Sequence, residues 1–421
     1  MKVALVNPND AECYAMSRAR ARRFPLGQAY VAAALLRAGH DVSAVDASAE
    51  GLSEDGVLDR LRGLGDLDFV GIGGTTPLWS QMVRLTRGAQ ALGAKVILGG
   101  PHVSALPGPS AETSGADFVC VGEGEETVVA VVEGREPPAK PYRTKVSQRA
   151  ADTVKAIDLD ACPIPARYLY DHSRYVDPAR GVESAQTGAM FSRGCPGKCA
   201  FCGAADTLVR WRNLDNVLEE LHQVEAAGIP NVFVMDDTYT SQRRRVLNLS
   251  RRIVEEGVRL RLGVQLRLDQ VDEEVCDALY ASGVRHVGPG IESGSERVMR
   301  AIGKGPRESK AHAREKVALL KRYDWLVRCS YVFGMPGETE AEMLETIEFA
   351  KELGADESAF SILTPYPDSP LWAVALERGL VDPYMDFDRF LYYHSVGCNL
   401  SAVPTERLLE LHELAYRETA R

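Results

Sequence analysis

Short apolar runs alternate with amphipathic stretches along the first third of the chain. Five runs favour β-strands because they are rich in Val, Ile and Leu and end in turn residues. They read VALVNP, HDVSAVDAS, DFVGIGG, KVILGG and DFVCVGEG. The stretches between them, such as PLGQAYVAAALLRAG and PLWSQMVRLTRGAQALG, carry apolar residues at helical spacing. This alternation predicts an α/β fold with a doubly wound parallel sheet over residues 1–135.

The same alternation returns at residue 187, with strand candidates recurring about every 25 to 40 residues. These candidates read TGAMFSRG, NVFVMDD, LRLGVQLRLD, RHVGPGIES, VRCSYVFG and ESAFSIL. Six (βα) units predict a partial TIM-type barrel, (βα)6, over residues 187–372, and the barrel leaves a short α-helical extension over 373–421. Residues 136–186 begin proline-rich and unpatterned, so they predict a linker that continues into an ordered strap.

Composition and charge narrow the class of protein. The chain has 421 residues, 45% hydrophobic and 26% charged, which is typical of a globular protein. Its net charge of −10 gives no electrostatic support for binding nucleic acid or an anionic membrane. No apolar stretch of about 18 residues is present, and the N-terminus turns polar too early for a signal peptide. We therefore expect a cytoplasmic protein with no nucleic-acid and no membrane partner.

Glycine-rich turns end three strands of the first sheet. They read GGTT from Gly73, GGPH from Gly99 and GEGE from Gly122. Glycine lets a ligand approach the backbone closely, and ligands of such sheets lie beyond the carboxyl ends of the strands. Glycine is also common in ordinary βα turns, but three turns in register suggest a flat, bulky ligand.

Three cysteines fall within eight residues of the sequence RGCPGKCAFC: Cys195, Cys199 and Cys202. They follow the first strand of the second system, and barrels of this type gather their chemistry at the carboxyl ends of strands. Structural zinc usually takes four protein ligands, whereas the other cysteines of this chain are scattered singly. A cluster of the [4Fe-4S] type held by three thiolates leaves one iron open to another ligand.

The spacing C-x3-C-x2-C, with the aromatic Phe201 before the third cysteine, resembles the radical SAM superfamily. The resemblance implies a [4Fe-4S] cluster whose open iron binds S-adenosylmethionine (SAM). It implies further that one electron from the cluster cleaves SAM to a carbon radical, which abstracts hydrogen from an unactivated carbon of a small molecule. A flavodoxin or ferredoxin is implied as the electron donor.

Further motifs follow in the order that the resemblance implies, one at the end of each barrel strand. Arg267 suits the carboxylate of SAM because a guanidinium pairs with it bidentately. The adjacent carboxylates of Asp236 and Asp237 have alternative roles as solvated or helix-capping groups. The full set of residues implied to contact the cluster-bound SAM is Phe201, Asp236, Asp237, Arg267, Glu292, Ser293, Gly334 and Pro336.

A doubly wound domain directly before such a barrel resembles the cobalamin-binding class of the superfamily. Cobalamin is thus an expected cofactor, although the first turn carries no histidine to ligate cobalt. Trp79 is a candidate for the lower cobalt face, with helix packing as its alternative role. The residues implied to contact cobalamin are Thr75, Thr76, Trp79, Gly99, Gly100, His102, Gly122 and Glu123.

The resemblance favours cobalamin-dependent C-methylation as the reaction. The alternatives are cobalamin-free radical dehydration, deoxygenation or epimerisation of an aminoglycoside-like substrate, and a cluster- and cobalamin-binding sensor without turnover. Dehydration needs an acid or base near the substrate carbon. The candidates are Tyr366, Asp368 and His394, and the segment TPYPDSP departs from the usual family form PGTP at Asp368.

Overall fold

The computed structural model describes residues 1–11, 13, 23–135, 157–177, 184–304, 309–391, 393 and 395–420. Contacts divide the chain into two compact units. Unit 1 contains Met1–Ala15, Ala19–Val182 and Val381–Phe390. Unit 2 contains Met16–Arg18, Glu183–Leu380 and Leu391–Arg421. None of the helices in the described part of the chain has both the length and the hydropathy needed to cross a lipid bilayer.

Unit 1 is built on a five-stranded parallel sheet. Its strands are β1 (Lys2–Asn7), β2 (Asp41–Asp46), β3 (Phe69–Gly73), β4 (Lys95–Gly99) and β5 (Phe118–Val119). Their order across the sheet is β2-β1-β3-β4-β5. Val6 is in register with Val45 on one side and with Ile72 on the other. The strand order reverses between β1 and β3, which is where ligands bind in sheets of this kind.

Helices cover both faces of this sheet. They are α1 (Leu26–Arg37), α2 (Ala47–Glu50), α3 (Glu54–Gly63), α4 (Trp79–Ala91), α5 (Pro101–Ala105), α6 (Pro107–Ser114) and α7 (Gly124–Val132). The described residues of the predicted strap, 157–177, belong to unit 1 and pack on its other elements. The amide of Ala166 donates to the carbonyl of Ala29 at 3.0 Å, and the Tyr175 hydroxyl donates to Asp46 at 2.5 Å.

Unit 2 contains a six-stranded parallel sheet and one short hairpin. The parallel strands are β6 (Gln186–Ala189), β9 (Asn231–Val234), β10 (Arg261–Leu266), β11 (Val284–Glu292), β12 (Leu326–Phe333) and β13 (Glu357–Ile362), in that order across the sheet. The hairpin pairs β7 (Ser192–Arg193) with β8 (Arg210–Trp211) in antiparallel fashion. The predicted fold class is confirmed for both sheets.

The helices of unit 2 alternate with these strands. They are α8 (Leu214–Ala226), α9 (Arg243–Glu255), α10 (Glu273–Ala281), α11 (Glu296–Ala301), α12 (Lys310–Leu320), α13 (Glu340–Leu353), α14 (Pro370–Glu377) and α15 (Thr405–Glu418). Along β12 every second residue is buried, and Val327, Tyr331 and Phe333 join the core shared with the helices. The intervening residues, which are only partly buried, face the other side of the sheet.

Two elements differ from the sequence prediction. The run TGAMFSRG is not one strand: it stops at Ala189 and resumes at Ser192, because Phe191 donates its amide to Asp236 at 2.7 Å instead of to a neighbouring strand. The predicted C-terminal extension is also divided. Its residues Val381–Phe390 belong to unit 1, while α15 packs on α13 and β13 in unit 2. The exact domain boundaries stay a prediction.

Candidate active site

The three predicted metal ligands lie on one loop that joins β7 to β8. The loop is braced across its width: Cys195 donates its amide to the Thr207 hydroxyl at 2.7 Å, and Thr207 donates its amide to the Cys195 carbonyl at 2.9 Å. Gly194 enters the loop with a φ of +104°, and a Cβ there would lie 2.2 Å from the carbonyl oxygen of Leu208. Only glycine fits this entry point.

The thiols of the loop are half-buried and accept backbone hydrogen bonds. The amide of Gly197 donates to the sulfur of Cys195, and the amide of Ala204 donates to the sulfur of Cys202, each at 3.4 Å. Burial raises the pKa of Cys195, and it raises that of Cys202 to about 11. Cys202 lies close enough to Cys199 and Cys195 for their charges to interact.

This donor set has the chemistry of an iron–sulfur cluster site. Amide hydrogen bonds to the sulfurs are a feature of cysteine-ligated clusters. Within the described residues, no three His, Cys, Asp or Glu side chains converge tightly enough to hold one metal ion. A cluster is larger than an ion, so its ligating sulfurs stand further apart. Three thiols on one loop, two of them with N–H···S bonds, therefore fit the predicted group.

Arg267 lies beside the cysteine loop, as the sequence analysis predicts for a residue near SAM. A Cβ built on Gly197 would lie 3.1 Å from its Nη1 atom and 3.2 Å from the sulfur of Cys195. The guanidinium pairs with Asp269, with 3.1 Å between Nε and Oδ1. A hydrogen bond also holds the middle of the loop: Ala200 donates its amide to the Ile302 carbonyl at 3.0 Å.

The two adjacent carboxylates after β9 have different surroundings. Asp236 is buried, and its oxygens accept the amides of Phe191 and Ser192 at 2.7 and 3.0 Å and the Ser192 hydroxyl at 2.6 Å. Burial raises the pKa of Asp236 to about 6. Asp237 is exposed and accepts the amide of Gly194 at 3.0 Å. Both carboxylates therefore hold the entry to the cysteine loop, and contact with SAM stays a prediction for each.

At the end of β11, Glu292 is held by a residue that the sequence analysis missed. Lys304 places its ammonium 3.4 Å from Oε1 of Glu292 and donates to the carbonyl of Gly290 at 2.6 Å. The side chains are only 4% and 12% exposed. Glu292 adopts a φ of +71°, a conformation that costs a non-glycine residue about 1–2 kcal/mol. The pattern IGKG gives no signal that distinguishes this lysine from a surface lysine.

Ser293 and the GMPGE turn after β12 are organised by hydrogen bonds within unit 2. Ser293 is fully buried, and its hydroxyl lies 3.2 Å from that of Thr346. Gly334 donates its amide to Oε2 of Glu338 at 2.8 Å, and Pro336 in the same turn is half-buried. Glu338, which the sequence analysis also missed, is thus the residue that holds this turn closed.

The three predicted catalytic residues are not assembled into one group by the described contacts. Tyr366 is half-buried, and its carbonyl accepts the hydroxyl of Ser369 at 2.8 Å. Asp368 is exposed and has a φ of +81°. His394 lies outside the described residues. The catalytic acid–base roles stay predictions.

Phe201, a predicted SAM contact, is half-buried and lies in the cysteine loop.

The predicted cobalamin contacts lie together at the carboxyl edge of the unit 1 sheet. Gly100, with a φ of +98°, packs so closely on the preceding turn that a Cβ would lie 2.6 Å from the Gly74 carbonyl oxygen. Gly122 donates its amide to the Ser104 hydroxyl at 3.0 Å. The remaining members of the predicted set lie at the ends of β3, β4 and β5, in the turns that follow them or at the start of the next helix: Thr75, Thr76, Trp79, Gly99, His102 and Glu123.

The fold and the site together define a two-part α/β protein with a three-thiol ligand loop on a partial barrel. Residues 190–350 match the family described as Radical SAM superfamily, and residues 16–132 match the B12 binding domain. An uncharacterized methyltransferase, PH0819 of Pyrococcus horikoshii, is 33% identical over 394 residues, which cover 87% of this chain and 84% of that protein. The chain belongs to the radical SAM superfamily, in the class that carries a B12 binding domain.

Two further proteins resemble this chain over most of its length. The cytidylyl-2-hydroxyethylphosphonate methyltransferase of Streptomyces wedmorensis is 26% identical and covers 94% of this chain and 85% of that protein. The radical S-adenosylmethionine methyltransferase TsrM of Kitasatospora setae, solved with cobalamin and a [4Fe-4S] cluster, is 20% identical. It superimposes with a TM-score of 0.70 over 90% of this chain and 75% of that chain, which shows the shared fold.

Family membership confirms that the chain is an enzyme and that its cofactors are a [4Fe-4S] cluster, SAM and cobalamin. A small-molecule substrate agrees with the family. The sensor without turnover is therefore not supported. The electron donor, the cytoplasmic location and the absence of nucleic-acid and membrane partners stay predictions.

Proposed function

We propose that this protein is a cobalamin-dependent radical SAM methyltransferase that methylates a carbon of a small molecule. One observation carries the proposal: a three-thiol loop on a partial barrel and a B12 binding domain occur in the same chain. Two relatives that match most of this chain are named methyltransferases. Cobalamin-free dehydration is not favoured, because no curated relative described above is named for it.

The residues of this chain divide the work between the two units. When bound, the cluster supplies an electron to SAM and cobalamin supplies a methyl group. Cys195, Cys199 and Cys202 would ligate the cluster. Arg267, which lies near Cys195 and pairs with Asp269, would bind the carboxylate of SAM. The turns after β3, β4 and β5 in unit 1 would hold cobalamin.

Glu292 and Lys304 form a buried ion pair at the end of β11. Glu292 has a left-handed backbone conformation, and its carboxylate pairs with the buried ammonium of Lys304. The carboxylate is therefore pre-organised and needs no rearrangement when a ligand binds. Strain of this kind clusters at ligand sites because the surroundings over-determine the conformation. We infer that the Glu292 carboxylate accepts hydrogen bonds from the hydroxyl groups of SAM, and that Lys304 holds the Glu292 carboxylate in place.

The test uses the full chain, reconstituted without oxygen with iron, sulfide and cobalamin. We expect bound corrin at a ratio close to one per chain. With SAM that carries a deuterated methyl group, we expect S-adenosylhomocysteine and, with metabolite extracts, a small product that carries the label. Cys199→Ala, which removes one ligand, should give no 5′-deoxyadenosine above background. Turnover of SAM by protein that binds no corrin would overturn the proposal in favour of a cobalamin-free reaction.

A further inference from the structure

An aromatic stack lies at the carboxyl edge of the unit 1 sheet. Trp79 is the first residue of α4, directly after the turn that follows β3, and His102 lies in α5, directly after β4. Their rings stack with 4.5 Å between centroids and 29° between planes. Both side chains are buried, at 6% and 1% exposure. The stack therefore joins two of the turns at which ligands of such sheets bind.

A distant part of the sequence completes this stack. The ring of Phe387 meets the ring of His102 edge-on, with 4.9 Å between centroids and 74° between planes. Phe390 packs on Phe387 in the same manner at 5.3 Å. Both phenylalanines are fully buried, and their segment, Val381–Phe390, belongs to unit 1 by its contacts. Edge-to-face pairs of this kind are stabilising beyond the area that they bury.

Polar contacts hold the same segment at two other helices of unit 1. Tyr384 donates its hydroxyl to Glu112 on α6 at 2.8 Å. Asp386 and Asp388 lie close enough to Arg84 on α4 for their charges to interact. The segment Val381–Phe390 thus contacts α5 and α6, and two of its carboxylates lie near Arg84 on α4.

His102 transmits this support to a predicted cobalamin contact. Its Nδ1 lies 3.3 Å from the hydroxyl of Thr76 in the turn after β3. Burial lowers the pKa of His102 to about 4, so the ring is neutral at physiological pH. With Trp79 on its face, Phe387 at its edge and Thr76 at its nitrogen, the ring has little freedom to rotate.

We propose that Phe387 is a positioning residue of the cobalamin site: it holds His102, and through His102 it fixes Thr76 in the turn after β3 and Trp79 at the start of α4. The matched B12 binding domain ends at residue 132, so this contribution comes from outside it. The inference rests on the proposed cobalamin dependence. Loss of the Phe387 ring would leave a cavity beside His102, and the turn would lose its fixed shape.

The experiment measures binding of hydroxocobalamin to the full chain, after the cluster has been reconstituted without oxygen. We expect Phe387→Ala to raise the dissociation constant about tenfold, which corresponds to one lost supporting contact. The visible bands of the bound corrin should shift, because its surroundings change. Iron content should equal that of the wild type, since the cysteine loop is in unit 2. Phe387→Leu, which keeps most of the volume, should restore part of the affinity.

Phe69→Ala is the matched control. Phe69 is a buried aromatic residue of unit 1 at the amino end of β3, where its ring pairs with Phe118. Its loss should lower the thermal stability and leave the affinity for hydroxocobalamin unchanged. Wild-type affinity in Phe387→Ala, or an equal loss of affinity in Phe69→Ala, would overturn the inference while the proposed function stands. A wild-type protein that binds no corrin would overturn both.

Discussion

Glu338 is fully buried in the turn after β12, where it acts as an acceptor for two backbone amides. Gly334 and Met335 donate to its Oε2 at 2.8 and 3.0 Å. Its Oε1 has no hydrogen-bond partner among the described residues. Burial outweighs the amide bonds and raises the pKa of Glu338 to about 7. Because the pKa of this carboxyl is higher in the folded state than in the unfolded state, the folded state binds the proton more tightly. Its contribution to stability is present at low pH and is lost as the pH rises.

We therefore predict that the free energy of unfolding falls as the pH rises through the range from about 4.3, the usual glutamate pKa, to about 7. The loss should reach about 4 kcal/mol, since each unit of pKa corresponds to about 1.4 kcal/mol. Glu338→Gln should flatten this slope, as measured by urea unfolding at several pH values from 5 to 8.

Glu342→Gln serves as the control for this prediction. Its hydrogen bonds with Arg297 lower the pKa of Glu342 to about 2, so this carboxyl does not titrate between pH 5 and 8. The variant should be less stable than the wild type at every pH in that range, with an unchanged slope. An unchanged slope in Glu338→Gln as well would show that Glu338 is not the titrating group.

Lys304 and Glu292 form a buried ion pair, and breaking such a pair leaves one charge without compensation. We predict that Lys304→Met lowers the free energy of unfolding by about 3–5 kcal/mol. Adding Glu292→Gln should recover much of this loss, because the orphaned charge is then removed. A double-mutant cycle by urea unfolding of the cluster-free protein measures the coupling. Additive effects would mean that the pair does not interact.

At the scale of elements, the geometry of the cysteine loop depends on its entry residue. Gly194→Ala places a Cβ against the Leu208 carbonyl, whereas Gly228→Ala meets nothing within 4 Å, although both glycines have a positive φ. We predict that Gly194→Ala loses most of the iron and sulfide found in the reconstituted wild type, because the braced loop must deform. Gly228→Ala should keep its full iron content. Equal iron in both variants would show that the loop tolerates the added methyl group.

Periodic elements were predictable from the sequence because their burial repeats locally. The run VRCSYVFG is predicted as a strand, and β12 has buried and partly buried residues in alternation along it. For Asp236 the resemblance implies contact with SAM, which stays a prediction, and its Oδ1 accepts the amides of Phe191 and Ser192. These two partners lie 44 to 45 residues away along the chain, so no local sequence pattern indicates the hydrogen bonds.

At the scale of the whole molecule, long-range packing was the part that sequence reasoning could not reach. The segment Val381–Phe390 reads as part of a C-terminal extension, yet its contacts place it in unit 1. Phe387 and Phe390 look like ordinary amphipathic positions until the ring of His102 is beside them. Likewise, nothing near Lys304 in sequence indicates the carboxylate that it pairs with across the end of β11.

The two predicted cofactor sites are built by different units, which makes their loading separable. Cys199→Ala removes a predicted cluster ligand in unit 2, so we predict loss of iron with wild-type corrin content. Gly100→Ala should do the reverse, because its Cβ would collide with the Gly74 carbonyl in unit 1. Gly115→Ala, also at a positive φ but with nothing within 4 Å, should keep both cofactors. Iron analysis and the visible spectrum of each purified variant measure the two contents. Joint loss of iron and corrin in either single-site variant would show that one site supports the other.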